Sequence, residues 1–229
     1  MTVPAEPARP VVDAVTGVGL GVRVVFWRHG RTEWNAAGRF QGQTDVELDE
    51  TGVAQAERAA RLLASLRPQL IVSSDLRRAA DTAATLARLT RLEVRLEPAL
   101  RERSGGLWEG LTGAEIGARF PINYAAWRRG EDVAPDGGES SQDVATRVVG
   151  AVEKLVADLT DGGVAVVVTH GGAARVGIGR LLGLPAERWS ALGALSNCCW
   201  SVVGLRDERW RLLEHNAGTL PEPVLGDDS

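Results

Sequence analysis

Two stretches of the chain, Val22 to Trp27 and Val164 to Val168, carry apolar side chains on both faces, the pattern expected of central strands in a parallel sheet covered on each side. Around them the period changes. Val53, Ala56, Ala60 and Leu63 recur at helical spacing, with Glu57, Arg58 and Arg61 elsewhere on the wheel, which predicts a helix over Thr51 to Leu66 ended by Pro68. Leu70 to Val72 reads as a short strand, Leu76 to Leu89 as a second helix and Leu92 to Leu96 as an alternating strand. Thr112 and Glu115 have the capping-box spacing that opens a short helix. Ser140 and Asp143 open a longer one, with Val144, Val148, Val152, Leu155 and Leu159 on one face. Gly172 to Leu182 follows the second apolar strand as a helix. Cys198 to Val203 and Arg209 to Leu213 read as an antiparallel pair at the sheet edge.

Strands alternating with helices imply a mainly parallel sheet with helices on both faces. The expected fold is therefore a three-layer α/β/α domain over residues 22–215. Residues 117–139 mix aromatic, charged, Pro and Gly residues, and a small, mostly helical cap insertion is expected over about 111–139. Residues 1–21, rich in Pro, Ala, Val and Gly, read as a flexible leader, and 216–229 as a C-terminal tail.

Composition narrows the function more than the fold. A chain of 229 residues buries enough surface to need no disulfides. A net charge of −4 argues against nucleic acid as a partner, so an anion site must be a local concentration of arginine. No apolar stretch reaches the roughly 18 residues of a membrane span, and residues 1–21 lack a signal-peptide pattern. The expectation is a cytoplasmic protein without a membrane partner. Cys198 and Cys199 are adjacent and outside any CxxC spacing, which suits ordinary strand residues in a reducing setting. The oligomeric state stays open; the hydrophobic edge near residues 189–203 offers one way to pair two subunits as a homodimer.

The chemistry begins with position. Two of the three histidines stand directly after the apolar strands, each followed by glycine: Arg28-His29-Gly30 and Thr169-His170-Gly171. In open α/β sheets, ligands bind beyond the carboxyl ends of the strands, so the two imidazoles face one pocket. Arg28 brings a planar fork matched to phosphate oxygens, and Thr32 and Asn35 follow closely. Ser73 to Thr82 lies on the same edge and opens a helix, whose first N–H groups favour anions; taken alone it reads as a capped, solvated helix start. In the glycine-bearing loop Arg101 to Gly110, Glu102 and Glu109 are equal candidates for proton transfer on residue type alone. The glycines at 17, 19 and 21 precede the first strand, so they make no dinucleotide loop. Three scattered histidines make no zinc site; no cofactor and no metal are expected. His215 reads as structural. Most of the seven tryptophans read as packing, with one or two available to line a sugar pocket.

Taken together, Arg28-His29-Gly30, Asp75-Leu76-x-Arg78-Ala79-x-x-Thr82, Leu100-Arg101-Glu102 and Thr169-His170-Gly171 resemble the histidine phosphatase superfamily, in its phosphoglycerate mutase-like branch, over residues 22–215. The resemblance implies a metal-independent phosphomonoesterase working through a phosphohistidine. It makes His29 the phosphorylated nucleophile. Arg28, Arg78 and His170 become phosphoryl-binding residues, with Arg78 rather than Arg77 in the family position, and Glu102 the proton donor. Asn35, Gln41 and Gly171 become supports of the phosphate pocket. One departure is Gly105, where the family often carries a bulky residue, and it is expected to loosen the loop around the leaving group. The segments around Trp108, Trp127, Gly137 to Ser140, Trp189, Asn197 to Trp200 and Trp210 imply a phosphorylated glycerate or sugar derivative as substrate, with glucosyl-3-phosphoglycerate leading. Three alternatives stand beside it. A mutase would use the same phosphohistidine, but mutases of this family carry a longer insertion than the roughly 28 residues between Gly110 and Glu139. Another small phosphomonoester, such as a cobalamin-pathway nucleotide, is the second. A binding module without catalysis is the third, and the intact set of polar residues speaks against it.

Overall fold

The computed structural model describes residues 21–219; all but the last residue of the expected leader over 1–21 and most of the expected tail lie outside them. In chain order the elements are β1 (Val22–Arg28), α1 (Glu33–Ala36), α2 (Glu50–Ser65), β2 (Leu70–Ser73), α3 (Arg77–Thr90), β3 (Val94–Leu96), α4 (Gly113–Arg119), α5 (Pro121–Arg128), α6 (Ser141–Ala157), β4 (Val164–Thr169), α7 (Gly171–Leu181), β5 (Trp200–Arg206) and β6 (Arg209–Ala217). Short 3₁₀ turns lie at Pro98–Leu100, Gly106–Trp108 and Ala186–Ala191.

The six strands form one sheet in the order β3-β2-β4-β1-β5-β6. The first four in that order run parallel; β5 and β6 are antiparallel additions. Alternation along β1 and β4 divides the core. Val24, Phe26, Ala165 and Val167 face α6 and α7, while Val25, Trp27, Val166 and Val168 face α2 and α3. This is the expected three-layer α/β/α domain.

The register of the two central strands carries the functional consequence. Arg28 pairs with Thr169, so the residues immediately after them, His29 and His170, emerge side by side at the carboxyl edge. Ser73 pairs with Val168, which brings Ser74 to the same edge.

Several expectations need correction. Val53 is 44% exposed, because the buried face of α2 runs through Gly52, Ala56, Ala59, Ala60 and Leu63. The one-turn helix α1 was not expected; Thr32 caps it reciprocally with Asn35. The cap is helical only through α4 and α5, after which no helix forms until α6. Cys198 and Cys199 precede β5 instead of lying in it, and Cys198 adopts a left-handed φ of 57° in a turn. The segment 189–203 is no sheet edge either. β5 is paired on both sides, and Trp189, Leu195, Trp200, Val202 and Val203 are buried in the core. β6 runs to Ala217, past the expected domain end.

Candidate active site

A cavity of about 120 Å³ opens at the carboxyl edge of β1 and β4, and its wall includes His29, Arg28, Arg78, Glu102, Asn35, Gln41 and Gly171. Seven of the eight residues expected at the site thus face one space. The eighth, His170, is fully buried against His29, with ring centroids 5.1 Å apart, and stands behind the wall.

The hydrogen bonds of His29 fix its reactive nitrogen. Nδ1 lies 2.7 Å from the Gly30 carbonyl oxygen. A carbonyl only accepts, so Nδ1 carries the hydrogen and Nε2 keeps its lone pair. Burial, then the charges of Arg78 and Arg28, hold this imidazole well below its ordinary pKa of 6.5, in the neutral form a nucleophile needs. The backbone is clamped as tightly. The His29 N–H donates to Thr169 O at 3.0 Å, and the Gly30 N–H donates to Thr82 Oγ1 at 3.0 Å. A Cβ at Gly30 would fall 2.3 Å from the Gly52 carbonyl oxygen, and one at Gly52 2.0 Å from the Arg31 oxygen. Two glycines meet there so that the first turn of α2 can press against the loop carrying His29.

Carbonyl oxygens hold both arginines. Arg28 Nη1 donates to Leu195 O at 2.7 Å. Arg78, fully buried, donates from Nη1 to Thr44 O at 2.8 Å and from Nη2 to Gly42 O at 2.7 Å. Its pKa is pushed down to about 10 by burial, which leaves it charged. At Arg78 these neutral partners fix the guanidinium without cancelling its charge. Arg77 points outward and pairs with Glu47, so the helix period selects Arg78 for the cavity. A Cβ at Gly171 would lie 3.2 Å from Leu195 O, the carbonyl that holds Arg28, so glycine there spares that oxygen a tight contact.

Glu102 and Glu109 separate clearly. Glu102 lines the cavity and accepts from Gly172 N and Ala173 N at 2.9 Å each, at the start of α7, and from Arg103 N at 2.8 Å. Glycine at 172 permits this approach, because a Cβ would sit 2.8 Å from Glu102 Oε1. Glu109 instead ties loops together, accepting from Gln43 N at 3.0 Å, Gly105 N at 2.9 Å and Thr44 Oγ1 at 2.6 Å. Gly105 therefore does not loosen its loop. Phe40 occupies the space a side chain would fill, 2.5 Å from the Cβ position, and the Gly105 N–H is bonded to Glu109.

The second histidine has one satisfied nitrogen. His170 Nε2 lies 2.9 Å from Ser74 Oγ, while its buried Nδ1 has no partner among the described residues. Burial, then the charges of Arg78, His29 and Arg28, also keep it well below 6.5. Asn35 and Gln41 are linked through Thr32, whose hydroxyl is 3.0 Å from Gln41 Oε1 and whose N–H donates to Asn35 Oδ1 at 3.2 Å. Asn197 joins them, donating to Asn35 Oδ1 at 3.1 Å and His29 O at 3.2 Å.

Sequence reading left several participants unplaced. Arg103 is 9% exposed and lines the cavity; Nη1 lies 3.2 Å from Ser141 Oγ, and the buried Nη2 has no partner among the described residues. Arg175 also lines the wall. Beneath the Glu102 loop, Arg147 donates to the carbonyls of Ala99, Arg101 and Glu102 and pairs with Glu139. Arg101 turns away to a bidentate pair with Asp75 at 2.7 and 2.5 Å. The capping pattern of Ser140 pointed to α6, but nothing in it marked Arg147. In all, five arginines face the cavity against one carboxylate, a setting for a doubly charged anion. Among the described residues, no cluster of three or more His, Cys, Asp or Glu is placed to hold a metal ion.

The chain is 42% identical to a curated glucosyl-3-phosphoglycerate phosphatase of Mycolicibacterium vanbaalenii, over 85% of this chain and 94% of that one. It is 39% identical to a metal-independent phosphoserine phosphatase of Arabidopsis thaliana, over 82% and 78%. Among solved structures, a mycobacterial glucosyl-3-phosphoglycerate phosphatase complexed with VO3 superposes with a TM-score of 0.82 at 45% identity, covering 86% of this chain and 99% of that one. Residues 24–218 match the model of the histidine phosphatase superfamily, branch 1, and with that geometry and those relatives the chain belongs to that superfamily.

Proposed function

We propose that this chain hydrolyses glucosyl-3-phosphoglycerate through a phosphohistidine formed on His29. The chain is a phosphatase of its superfamily, and the reading of its machinery follows from one observation. His29 is kept neutral, with Nδ1 spent on Gly30 O and Nε2 free, in a cavity lined by Arg28 and Arg78. Nε2 attacks phosphorus in line, and the bond from phosphorus to the leaving oxygen breaks. Arg28 and Arg78 hold the phosphoryl oxygens as charge develops, a preorganised electrostatic field. His170 Nδ1, buried without a partner among the described residues, is left to donate to a phosphoryl oxygen. Glu102 gives its proton to the leaving alkoxide, exchanging one backbone N–H contact for the substrate oxygen. It then takes a proton from the water that attacks the phosphohistidine, and phosphate leaves with His29 restored. Asn35, Gln41 and Gly171 keep the pocket in shape.

The substrate rests on the relatives and on the wall beyond the phosphate. A glycerate leaving group carries a carboxylate, and Arg103 offers a buried guanidinium with a nitrogen unsatisfied by protein. The two cysteines are free and buried, which suits a cytoplasmic setting, and no helix of the described residues is long and apolar enough to cross a membrane. The test compares kcat/KM for glucosyl-3-phosphoglycerate, 3-phosphoglycerate and nitrophenyl phosphate. The glucosyl compound is expected to lead with release of free phosphate. No preference leaves a general phosphatase, and isomerisation of 3-phosphoglycerate without phosphate release makes the chain a mutase.

A further inference from the structure

A second, larger cavity of about 400 Å³ adjoins the first, between the loop after α5 and the turn at 186–194. The two share Trp127, Ser141, Arg175, Val176 and Ala194 in their walls, so the phosphate site opens directly into it. Their sizes divide the substrate. The inner cavity of about 120 Å³ is the smaller of the two, so a bulky group carried on the glycerate extends into the outer one.

The residue at the junction is suited to a sugar. Trp127 is half-buried and lines both cavities. It does not swing freely: Tyr124 stacks on it at 5.8 Å and 23°, and the buried Trp108 meets it edge-on at 6.0 Å. Trp108 in turn meets Phe40, beside the phosphate site, at 6.0 Å. A fixed aromatic surface pairs with the C–H face of a pyranose at little entropic cost. The turn at 186–194 brings the Ser190 hydroxyl to the chamber wall. A Cβ at Gly130 would lie 3.7 Å from Ser190 Oγ, so loop and turn approach each other at Ser190.

Resting on the substrate reading above, we infer that this outer chamber is the subsite for a neutral pyranosyl group, with Trp127 as its platform and Ser190 in its wall. The chamber, not the phosphate site, then sets the preference for a glycosylated glycerate over the bare one.

The test is a ratio: kcat/KM for glucosyl-3-phosphoglycerate divided by kcat/KM for 3-phosphoglycerate, measured in wild type, Trp127→Ala and Ser190→Trp. The ratio cancels any loss in the common phosphatase chemistry. Ser190 is exposed and outside the aromatic cluster, so its variant fills the chamber without unseating Trp127. We expect a wild-type ratio above one that falls at least tenfold in both variants. A ratio that survives in Ser190→Trp overturns the subsite whatever Trp127→Ala does, while leaving the substrate reading intact. A wild-type ratio of one or less overturns the substrate reading, and the subsite with it.

Discussion

Glu102→Gln tests the division of labour between the two loop carboxylates. The substitution keeps the shape and replaces one oxygen by an NH2. With its carbonyl at the Oε1 position, glutamine still accepts from Arg103 N and Ala173 N; its NH2 then opposes the Gly172 N–H, which loses its acceptor. A part-buried donor left unsatisfied costs about 1–3 kcal/mol, so a modest loss of stability is expected. The catalytic effect is larger and selective. A general acid contributes about 10²–10⁴-fold, or roughly 3–5 kcal/mol of barrier. That loss falls on leaving groups that need a proton. In steady-state assays, kcat/KM reports the steps up to formation of the phosphohistidine. For an alkyl phosphate such as 3-phosphoglycerate it should drop by about 10²–10⁴, whereas for nitrophenyl phosphate, whose leaving group departs unassisted, it should change far less. Breakdown of the phosphohistidine also loses its base. Nitrophenyl phosphate should therefore give a burst of nitrophenolate followed by a slow steady state. Equal losses of kcat/KM on both substrates would refute the assignment and make Glu102 a binding residue.

Glu109→Ala removes an acceptor shared by three donors and should lower unfolding stability by about 2–4 kcal/mol; its activity loss should be the same for both leaving groups, and selective loss on the alkyl substrate would count against its structural role. Burial, reinforced by the nearby arginines, holds His29 and His170 below 6.5, so their ring proton signals should stay at neutral positions as pH falls through 6.5 in an NMR titration. The unfolded chain takes up those protons near 6.5 and the native one does not, so this contribution lowers stability as pH falls through that region; a native midpoint at or above 6.5 for either ring refutes it. Activity should survive exhaustive chelation, because the charge comes from arginine, and a loss restored by one added divalent ion would overturn that.

The parts of the site readable in advance were those set by strand ends and helix period. His29 and His170 follow two strands that could be recognised by their apolar faces, and neighbouring parallel strands bring such positions together. Arg78 and Thr82 lie four apart on one face of α3, so the helix that hides Thr82 also turns Arg78 inward and Arg77 out. What could not be read were contacts made by backbone. The carbonyls of Gly42, Thr44 and Leu195 aim the two arginines, and a carbonyl has no signature in sequence. Glu102 and Glu109 had the same chemistry on paper; only the path of the 41–44 segment, which passes beside Glu109, separates a tether from a proton carrier. The edge expected at 189–203 failed because apolar content marks burial without saying whether a core or a partner supplies it.

The meeting of Gly30 and Gly52 restricts how this lineage can change. At most packed positions an enlarged side chain can be accommodated by a smaller neighbour, so sequences drift in compensating pairs. Here the obstacle to any side chain at either position is a carbonyl oxygen, which every replacement residue would present equally. No second substitution relieves the first. The two positions should stay glycine through divergence in substrate, cap and surface alike, and relatives that abandon one should show the start of α2 displaced from the His29 loop.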